Sequence, residues 1–385
     1  MKMRYRTFGR NKGIDVSEIG IGGGSLIGLN EREVKEIIDY AYDYGINIID
    51  LYMPEPWVRK NIGKAIKGKR EKFIIQGHIG TIFKNNQYKR SRDIDEISQS
   101  FDELLEALDT DYIDYGMIHY IDTEEDWKDI QENGLWEYCL GLKSYGTIKH
   151  LGFSSHNPLI AKKIIETGEI DVMLFSINPA YDMDSNSKDD VDSLCDYKGL
   201  NTQSMKFDKD RLELYSLCQQ KGIGITVMKA FGAGTLLYDK TSPFKKALTP
   251  SQCIKYCLDR MGVISVMAGF SNVEEVKYAL EYFEKTDYEN DYTRVITSRN
   301  FNNDGRCVYC NHCLPCPKNI DIAMVNKLLD IVNLSSVPCD TEREHYNLLK
   351  HYASECIKCG KCELNCPFGV EIRKKMQQAV KVFGK

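Results

Sequence analysis

A regular alternation of short apolar runs and longer amphipathic segments over residues 1–290 most constrains the fold. Eight runs rich in β-branched residues end in small or polar residues, as buried strands do. They cover residues 16–22, 46–51, 72–76, 112–118, 148–153, 171–177, 224–229 and 263–268. The stretches between them show helical periodicity: 31–44, 94–108, 158–166, 211–220, 250–260 and 273–284. The alternation predicts a parallel sheet joined by helical crossovers.

Eight such units favour the α/β class and, within it, a (β/α)8 TIM barrel. The rival fold is a doubly wound open sheet, which usually carries a Gly-rich dinucleotide turn followed by an acidic residue. The run Gly20-Ile21-Gly22-Gly23-Gly24 matches that turn poorly. We therefore predict a barrel over residues 1–290 and a smaller second domain over residues 291–385, where cysteine becomes frequent.

Composition excludes several classes of protein. Hydrophobic residues make up 42% and charged residues 28% of the chain, which excludes a disordered protein. No apolar run approaches the roughly 18 residues of a membrane span, and the first residues lack the apolar stretch of a signal peptide. A net charge of −5 argues against nucleic acid as a partner. We expect a cytoplasmic protein with no nucleic-acid or membrane partner.

The ends of the predicted strands carry the candidate site, because chemistry in such barrels takes place at the carboxyl ends of the strands. Three of the chain's seven histidines, His78, His119 and His156, stand at these ends. The other polar residues there are Asp50, Tyr52, Glu55, Ser154, Ser155, Asn178, Lys229, Ser271 and Asn272. The pattern predicts that the three histidines converge at one barrel mouth.

Four segments, in order along the predicted strands, resemble the aldo/keto reductase family. They are residues 50–66, 111–119, 151–155 and 222–229. The resemblance implies a barrel that binds NADP(H) and reduces carbonyl groups with a set of Asp, Tyr, Lys and His. It also implies cofactor contacts from Ser154, Ser155, His156, Asn178, Lys229, Ser271 and Asn272.

The catalytic set departs from the family. Asp50 and His119 match, but Glu55 stands at the Tyr position and His78 at the Lys position. Tyr52 lies three residues too early and Lys84 six residues too late to fill the gaps. Ser155 stands where Asn is usual. The proton-donating pair of the family is thus missing from its usual places.

Three interpretations of this altered set stay open. His78 can serve as a general acid near neutral pH, since the ordinary pKa of His is about 6.5. Alternatively, Asp50, Glu55, His78, His119 and His156 form a ring suited to a mononuclear divalent metal. In the third interpretation Glu55 faces solvent, and the histidines bond to the substrate or to one another.

Two long predicted loops lie at the same face. The first, residues 79–93, carries six aromatic or basic residues, namely Phe83, Lys84, Tyr88, Lys89, Arg90 and Arg92. It is expected either to close over an anionic substrate or phosphate, or to be a solvated basic loop. The second, residues 181–210, carries eight Asp and is expected to be a lid or a docking surface for the C-terminal part.

Nine of the 14 cysteines fall between residues 307 and 366, in two four-cysteine runs that each end in Cys-Pro, with Cys339 left over. The second run, from Cys356 to Cys366, has the full spacing of bacterial ferredoxins with two [4Fe–4S] clusters, and the first, from Cys307 to Cys316, differs by one residue before its last cysteine. In such ferredoxins the Cys before Pro ligates the other cluster. One predicted ligand set is Cys307, Cys310, Cys313 and Cys366. The other is Cys356, Cys359, Cys362 and Cys316. The alternative is two zinc sites, although zinc usually takes cysteine pairs separated by a longer loop.

The tail resembles the dicluster ferredoxin domain that follows some aldo/keto reductase-like barrels of anaerobes. Our first hypothesis is an oxidoreductase that reduces a small organic substrate at the barrel mouth. Its electrons come from an external carrier, a ferredoxin or a flavoprotein, through the clusters. The second hypothesis is an NADP(H)-dependent carbonyl reductase in which Tyr52 or His78 donates the proton. The third is a non-enzymatic electron-transfer protein.

Overall fold

A computed structural model describes residues 2–10, 13–183, 207–297, 305, 307, 309–335 and 340–385. Eight parallel strands close into a barrel in chain order, with the last paired to the first. They are β1 Ile19–Gly22, β2 Ile48–Leu51, β3 Ile74–Ile79, β4 Ile113–Ile118, β5 Ile148–Ser155, β6 Val172–Ser176, β7 Gly224–Met228 and β8 Val263–Gly269. The predicted (β/α)8 barrel is confirmed, and each predicted strand corresponds to one of these.

Helices surround the strands, and the six predicted from periodicity are among them. Those of the barrel are Glu31–Asp43, Pro56–Ile66, Ile94–Leu108, Glu124–Glu132, Leu135–Tyr145, Pro158–Glu166, Pro179–Asp182, Lys209–Lys221, Pro250–Leu258, Val273–Leu280 and Thr293–Ile296. The first begins at a capping box formed by Asn30 and Glu33. A methyl group at Gly63 would lie 2.0 Å from the Ala107 carbonyl oxygen, so glycine lets helices Pro56–Ile66 and Ile94–Leu108 approach closely.

The amino-terminal end of the barrel is plugged by apolar side chains. Strands Tyr5–Arg6 and Val16–Ser17 pair antiparallel there, and the Phe8 ring lies 6.2 Å from that of Tyr115 inside the barrel. Met117, Leu174 and other buried residues fill the interior behind it. The carboxyl ends of the strands therefore remain as the face on which a site can form.

The predicted loop 79–93 is instead a hairpin. Strands Thr81–Lys84 and Gln87–Arg90 pair antiparallel and project from the end of β3. The prediction of an irregular loop was wrong because the second strand is exposed on both faces and shows no apolar alternation. Most of the other predicted loop, 181–210, lies outside the described residues. Its described end leads into the next helix, Lys209–Lys221, which Asp208 caps.

The regular elements described beyond residue 297 are helices: Ile322–Ser335, Asp340–Asn347, Lys361–Leu364 and Ile372–Phe383. Helix Ile322–Ser335 packs against the barrel helix Lys209–Lys221 and against Ile372–Phe383. Phe368 also contacts Phe207, with ring centroids 5.8 Å apart. The tail thus docks outside β6 and β7. Within the described ranges, no helix is long and apolar enough to span a bilayer.

Candidate active site and cysteine cavities

A continuous line of hydrogen bonds crosses the mouth at the ends of β2, β3 and β4. Asp50 Oδ1 lies 3.0 Å from His78 Nε2, and His78 Nδ1 lies 2.7 Å from His119 Nδ1. His119 Nε2 lies 2.8 Å from the hydroxyl of Tyr88, on the hairpin. All but Tyr88 are buried. Of the three histidines expected to converge, the structure brings His78 and His119 together with Asp50, and it pairs His156 with Asp122 instead.

With Asp50 ionised, only one placement of the protons satisfies every hydrogen bond along this line. An ionised Asp50 accepts from His78 Nε2–H, which leaves His78 Nδ1 as an acceptor for His119 Nδ1–H. His119 Nε2 then accepts from the Tyr88 hydroxyl. Both nitrogens of His78 are occupied by Asp50 and His119, so His78 can reach a substrate only through His119. We call this line the relay; Tyr88 and His119 Nε2 stand at its outer end.

The surroundings keep His119 neutral. Burial, with the electrostatic influence of His78 and the positive charge of Arg92, lowers the pKa of His119 well below its usual value. Burial, with the carboxylates of Asp50 and Glu55, raises the pKa of Tyr52. The Tyr52 ring stacks on His119 with planes 11° apart. The lowered pKa keeps His119 in the neutral form, whose Nε2 can accept the hydrogen bond of the Tyr88 hydroxyl.

Two residues extend the relay inward. Gln76 Nε2 donates to Asp50 Oδ1 at 2.6 Å, and Thr226 Oγ1 on β7 donates to Gln76 Oε1 at 2.9 Å. These bonds orient the Asp50 carboxylate from below. Sequence reasoning missed Thr226 because it lies within a strand rather than at its end.

Glu55 is the anomaly of the mouth. It is 8% exposed, so the interpretation that it faces solvent is wrong. Its Oε2 is buried, and no group in the described ranges bonds to it. Arg59, one turn later, uses its Nε and Nη1 on the Met53 and Ser100 carbonyl groups instead. Glu55 thus leaves an unsatisfied acceptor that a bound molecule can satisfy.

His156 belongs to a separate group. Its Nδ1 lies 2.9 Å from Asp122 Oδ2, and the Ser155 hydroxyl donates to Asp122 Oδ1. Burial lowers the pKa of His156, opposed by its hydrogen bond to Asp122. Ser154 Oγ accepts from the Tyr120 backbone N–H at 2.8 Å. Asp122, which holds the end of β5, was missed because only the fold brings it beside His156.

The other predicted cofactor contacts have structural partners at the same face. Asn178 caps helix Pro179–Asp182 and donates to the Lys229 carbonyl at 2.9 Å. Asn272 caps helix Val273–Leu280, and the Ser271 N–H donates to Glu275. Lys229 is half-buried in the left-handed region, at φ 59°. Their role in binding NADP(H) stays a prediction.

The mouth does not favour a mononuclear metal. No three His, Cys, Asp or Glu side chains of the described segments are grouped to hold one ion. The ring nitrogens of His78 and His119 are hydrogen-bonded, and His156 pairs with Asp122 through Nδ1. The metal interpretation is therefore not supported, and the arrangement agrees with histidines bonded to one another.

The basic side chains of the hairpin are already paired. Lys84 and Lys89 pair with Glu96, and Arg90 and Arg92 pair with Asp126. Arg92 also donates to the His119 carbonyl at 2.9 Å. These pairs fix the hairpin over the mouth and place Tyr88 at His119. The basic side chains that were expected to close over an anion thus hold the hairpin in position instead. Lys84, which pairs with Glu96, does not replace the missing family lysine.

The eight cysteines of the two runs in the tail line two small cavities. One cavity is lined by Cys307, Cys310, Cys313 and Cys366. The second is lined by Cys316, Cys356, Cys359 and Cys362. We call these sets the first and second quartets. They are the two ligand sets expected from the sequence; Cys339 lies outside the described residues.

The first quartet is the more enclosed. Burial raises the pKa of Cys307 to about 12, and Asn326 Nδ2 donates to its sulfur at 3.4 Å. His312, within the same run, pairs with Asp291 at 3.0 Å and anchors the loop to the barrel. A buried thiolate needs positive charge or N–H donors beside it. This cavity offers donors and lies against the barrel, whereas Cys359 of the second quartet is exposed.

A buried polar cluster lies between the tail and the mouth. Asp182, fully buried, accepts from Arg211 Nε at 2.9 Å and from the hydroxyls of Tyr215 and Tyr256. Arg211 and Tyr215 come from helix Lys209–Lys221, against which the tail docks. The cluster fixes the end of β6 beside Asn178. Nothing in the sequence distinguishes Asp182 from the seven other Asp of its predicted loop.

Comparison with known proteins agrees with this architecture. The sequence profile of the Aldo/keto reductase family matches residues 18–253. The aldo-keto reductase YhdN of Bacillus subtilis is 31% identical over 180 residues, 44% of this chain; the match spans only about half (52%) of that protein. L-galactose dehydrogenase of Arabidopsis thaliana is 24% identical over 310 residues, which is 72% of this chain and 86% of that protein.

A solved structure shows the same fold. The holo form of aldo-keto reductase AKR11C1 from Bacillus halodurans superposes with a TM-score of 0.58 at 23% identity. The match covers 74% of this chain and 92% of that one. The profile covers more than half of the chain, and the barrel is the one that the profile implies. The chain therefore belongs to the aldo/keto reductase family of oxidoreductases.

Proposed function

We propose that the chain reduces a small organic carbonyl compound at the barrel mouth and that its two cysteine quartets hold [4Fe–4S] clusters. The observation that carries this proposal is the crossed arrangement of the quartets. Each cavity takes three cysteines from one run and the Cys-Pro cysteine of the other. This is the arrangement of a dicluster ferredoxin.

The residues fit iron–sulfur cubes better than single zinc ions. Zinc usually takes cysteine pairs separated by a longer loop, whereas the tail carries two four-cysteine runs that each end in Cys-Pro. A cube places its four irons at separate corners, so its ligands stand farther apart. When bound, such clusters supply electrons one at a time.

The proton would come from the outer end of the relay. A carbonyl oxygen placed against the Tyr88 hydroxyl meets a group that can donate to it. Tyr88 gives its proton as the oxygen gains negative charge, and solvent at the mouth restores the phenol, while His119, held by His78 and Asp50, orients the Tyr88 oxygen. The family's tyrosine at position 55 is thus replaced by a phenol from the hairpin.

Glu55 would select part of the substrate. Its buried, unpartnered Oε2 needs a donor, and a hydroxyl or ammonium group on the substrate supplies one. An isosteric substrate without that group would leave the carboxylate unsatisfied. We therefore expect a carbonyl compound with a neighbouring hydrogen-bond donor.

The two sides of the mouth would have different tasks. The relay lies on β2, β3 and β4, whereas the tail docks outside β6 and β7, across the barrel. We expect electrons to arrive on the side of Asn178 and Lys229 and protons on the side of His119. The buried cluster around Asp182 lies on the electron side.

The second candidate function is NADP(H)-dependent carbonyl reduction. Family membership favours it, because the catalytic aspartate and histidine are retained as Asp50 and His119. In that case the clusters would not be needed for turnover. The residues expected to contact the cofactor are the same strand-end set.

Turnover with two electron sources separates the candidates. The anoxically purified full chain is assayed on small hydroxy- and amino-carbonyl compounds, with reduced methyl viologen or with NADPH. We expect product with the viologen, none with NADPH, and loss of product in Cys366→Ser. Product formed from stoichiometric NADPH, undiminished in Cys366→Ser, would establish the second candidate instead.

A further inference from the structure

We propose that the exposed side of the second quartet is the docking surface for a small acidic ferredoxin that delivers electrons to the chain. We call it the Cys359 face and define it as Ile357, Lys358, Cys359, Lys361 and Leu364. This inference rests on the proposed function, because it assumes that the second quartet holds a cluster.

Access to solvent selects this face. Cys359 is exposed, and Ile357, which lines the same cavity, is 57% exposed. Leu364, on the short helix Lys361–Leu364, is 87% exposed. In contrast, Cys313 of the first quartet is buried, and Cys307 faces a groove shared with the barrel helix residue Tyr215. An external carrier therefore comes closest to the second quartet.

The Cys359 face carries positive charges that have no ion-pair partner among the described residues. Lys358 and Lys361 are exposed, and neither takes part in any ion pair of the described residues. The acidic residue of the segment, Glu363, is held by Arg373 at 2.7 Å. Lys318, two residues beyond Cys316, is likewise exposed and unpaired within the described segments. A partner with clustered carboxylates complements this face.

The face combines such charge with apolar contact. Exposed aliphatic side chains beside lysines are suited to a transient interface, in which charge steers the encounter and a small apolar contact orients it. Ile357 and Leu364 provide that contact. The backbone at Lys358, with φ 57°, and at Gly360, with φ 75°, turns tightly on either side of Cys359.

The electron balance is simple. Each reduced ferredoxin loses one electron at this face and leaves oxidised, with no proton or bond exchanged. Two such encounters supply the two electrons that reduction of one carbonyl consumes, while the two protons come from solvent through the mouth. The direction is inward, from the exposed quartet to the enclosed one and then to the barrel.

The test measures how fast a reduced acidic [2Fe–2S] ferredoxin reduces the anoxically purified, cluster-loaded chain at low ionic strength. Steering changes association rates by about 10- to 1,000-fold. We expect the double variant Lys358→Glu/Lys361→Glu to lose at least tenfold in rate. The neutral Lys358→Gln/Lys361→Gln should fall between it and the native chain. Added salt should remove the differences, since screening sets in at about 10 Å in 0.1 M salt.

Two controls keep the result interpretable. Lys381→Glu changes the same charge about 12 Å along helix Ile372–Phe383 from Arg373 and should leave the rate unchanged. Dithionite should reduce all variants equally, and calorimetry should show weaker ferredoxin binding only in the two double variants. Equal rates and equal binding in all variants would overturn the docking surface. A native chain without iron would overturn the proposed clusters themselves.

Discussion

Cys366 lies against the same small cavity as Cys307, although the two residues belong to different cysteine runs. Proximity in sequence would instead place Cys366 with Cys362. We therefore predict that Cys366→Ser disturbs the enclosed first cluster and leaves the second intact. Iron content should fall from about eight to about four per chain, and Cys316→Ser should remove the other signal. Electron paramagnetic resonance of the reduced variants distinguishes the two, and identical spectra would contradict the crossed assignment.

Tyr88→Phe should lower kcat for the carbonyl reduction by about 100- to 10,000-fold, the usual contribution of a positioned acid. KM should change little, because the ring remains in place. Tyr145→Phe, an exposed change on helix Leu135–Tyr145, serves as the matched control and should have no effect. If Tyr52→Phe produced the loss and Tyr88→Phe did not, the donor would be the tyrosine that stacks on His119.

The lowered pKa of His119 has a consequence for pH dependence. The folded chain keeps this ring neutral at pH values where the unfolded chain, with a pKa of about 6.5, is protonated. Its contribution to stability is therefore complete above pH 6.5 and is lost as pH falls toward the folded value. Ring-proton NMR, assigned with His119→Gln, should show no titration of His119 between pH 6 and 8. A midpoint near 6.5 would contradict the buried relay.

The fold could be predicted because its signal is local and repeated. The barrel strands are short buried runs that include β-branched residues, as in strand Gly224–Met228, and each ends at the face where polar residues gather. The hairpin that carries Tyr88 could not be predicted, because its strand Gln87–Arg90 is polar and exposed throughout. The partners of His156 and Asp50, Asp122 and Gln76, depend on distant elements meeting, and spacing along the chain does not encode that.

The cysteine sets were predictable for a different reason. The spacing of cysteines within a run reflects the geometry of the cluster that the run binds. Two runs that end in Cys-Pro therefore predict, before any fold is known, two cavities that each take cysteines from both runs. Asp182 shows the opposite case. It is one of eight Asp in a polar stretch, yet it is fully buried against Arg211.

Asp182→Asn should destabilise the barrel by about 3–5 kcal/mol, because it leaves the buried Arg211 guanidinium without its counter-charge. Tyr215→Phe removes one hydrogen bond to the same carboxylate and should cost about 1.5–3 kcal/mol. Urea unfolding under anoxic conditions, followed by near-ultraviolet circular dichroism, measures both. Equal, small losses below about 1 kcal/mol would show that the pair is not a structural anchor of the docking side.

The central claim is that this aldo/keto reductase-family barrel carries two [4Fe–4S] clusters in its cysteine quartets. The most direct measurement is the iron, acid-labile sulfide and zinc content of the anoxically purified chain. The account predicts about eight iron and eight sulfide per chain, without stoichiometric zinc. Two zinc and little iron would contradict it and would leave NADP(H) as the source of electrons at the mouth.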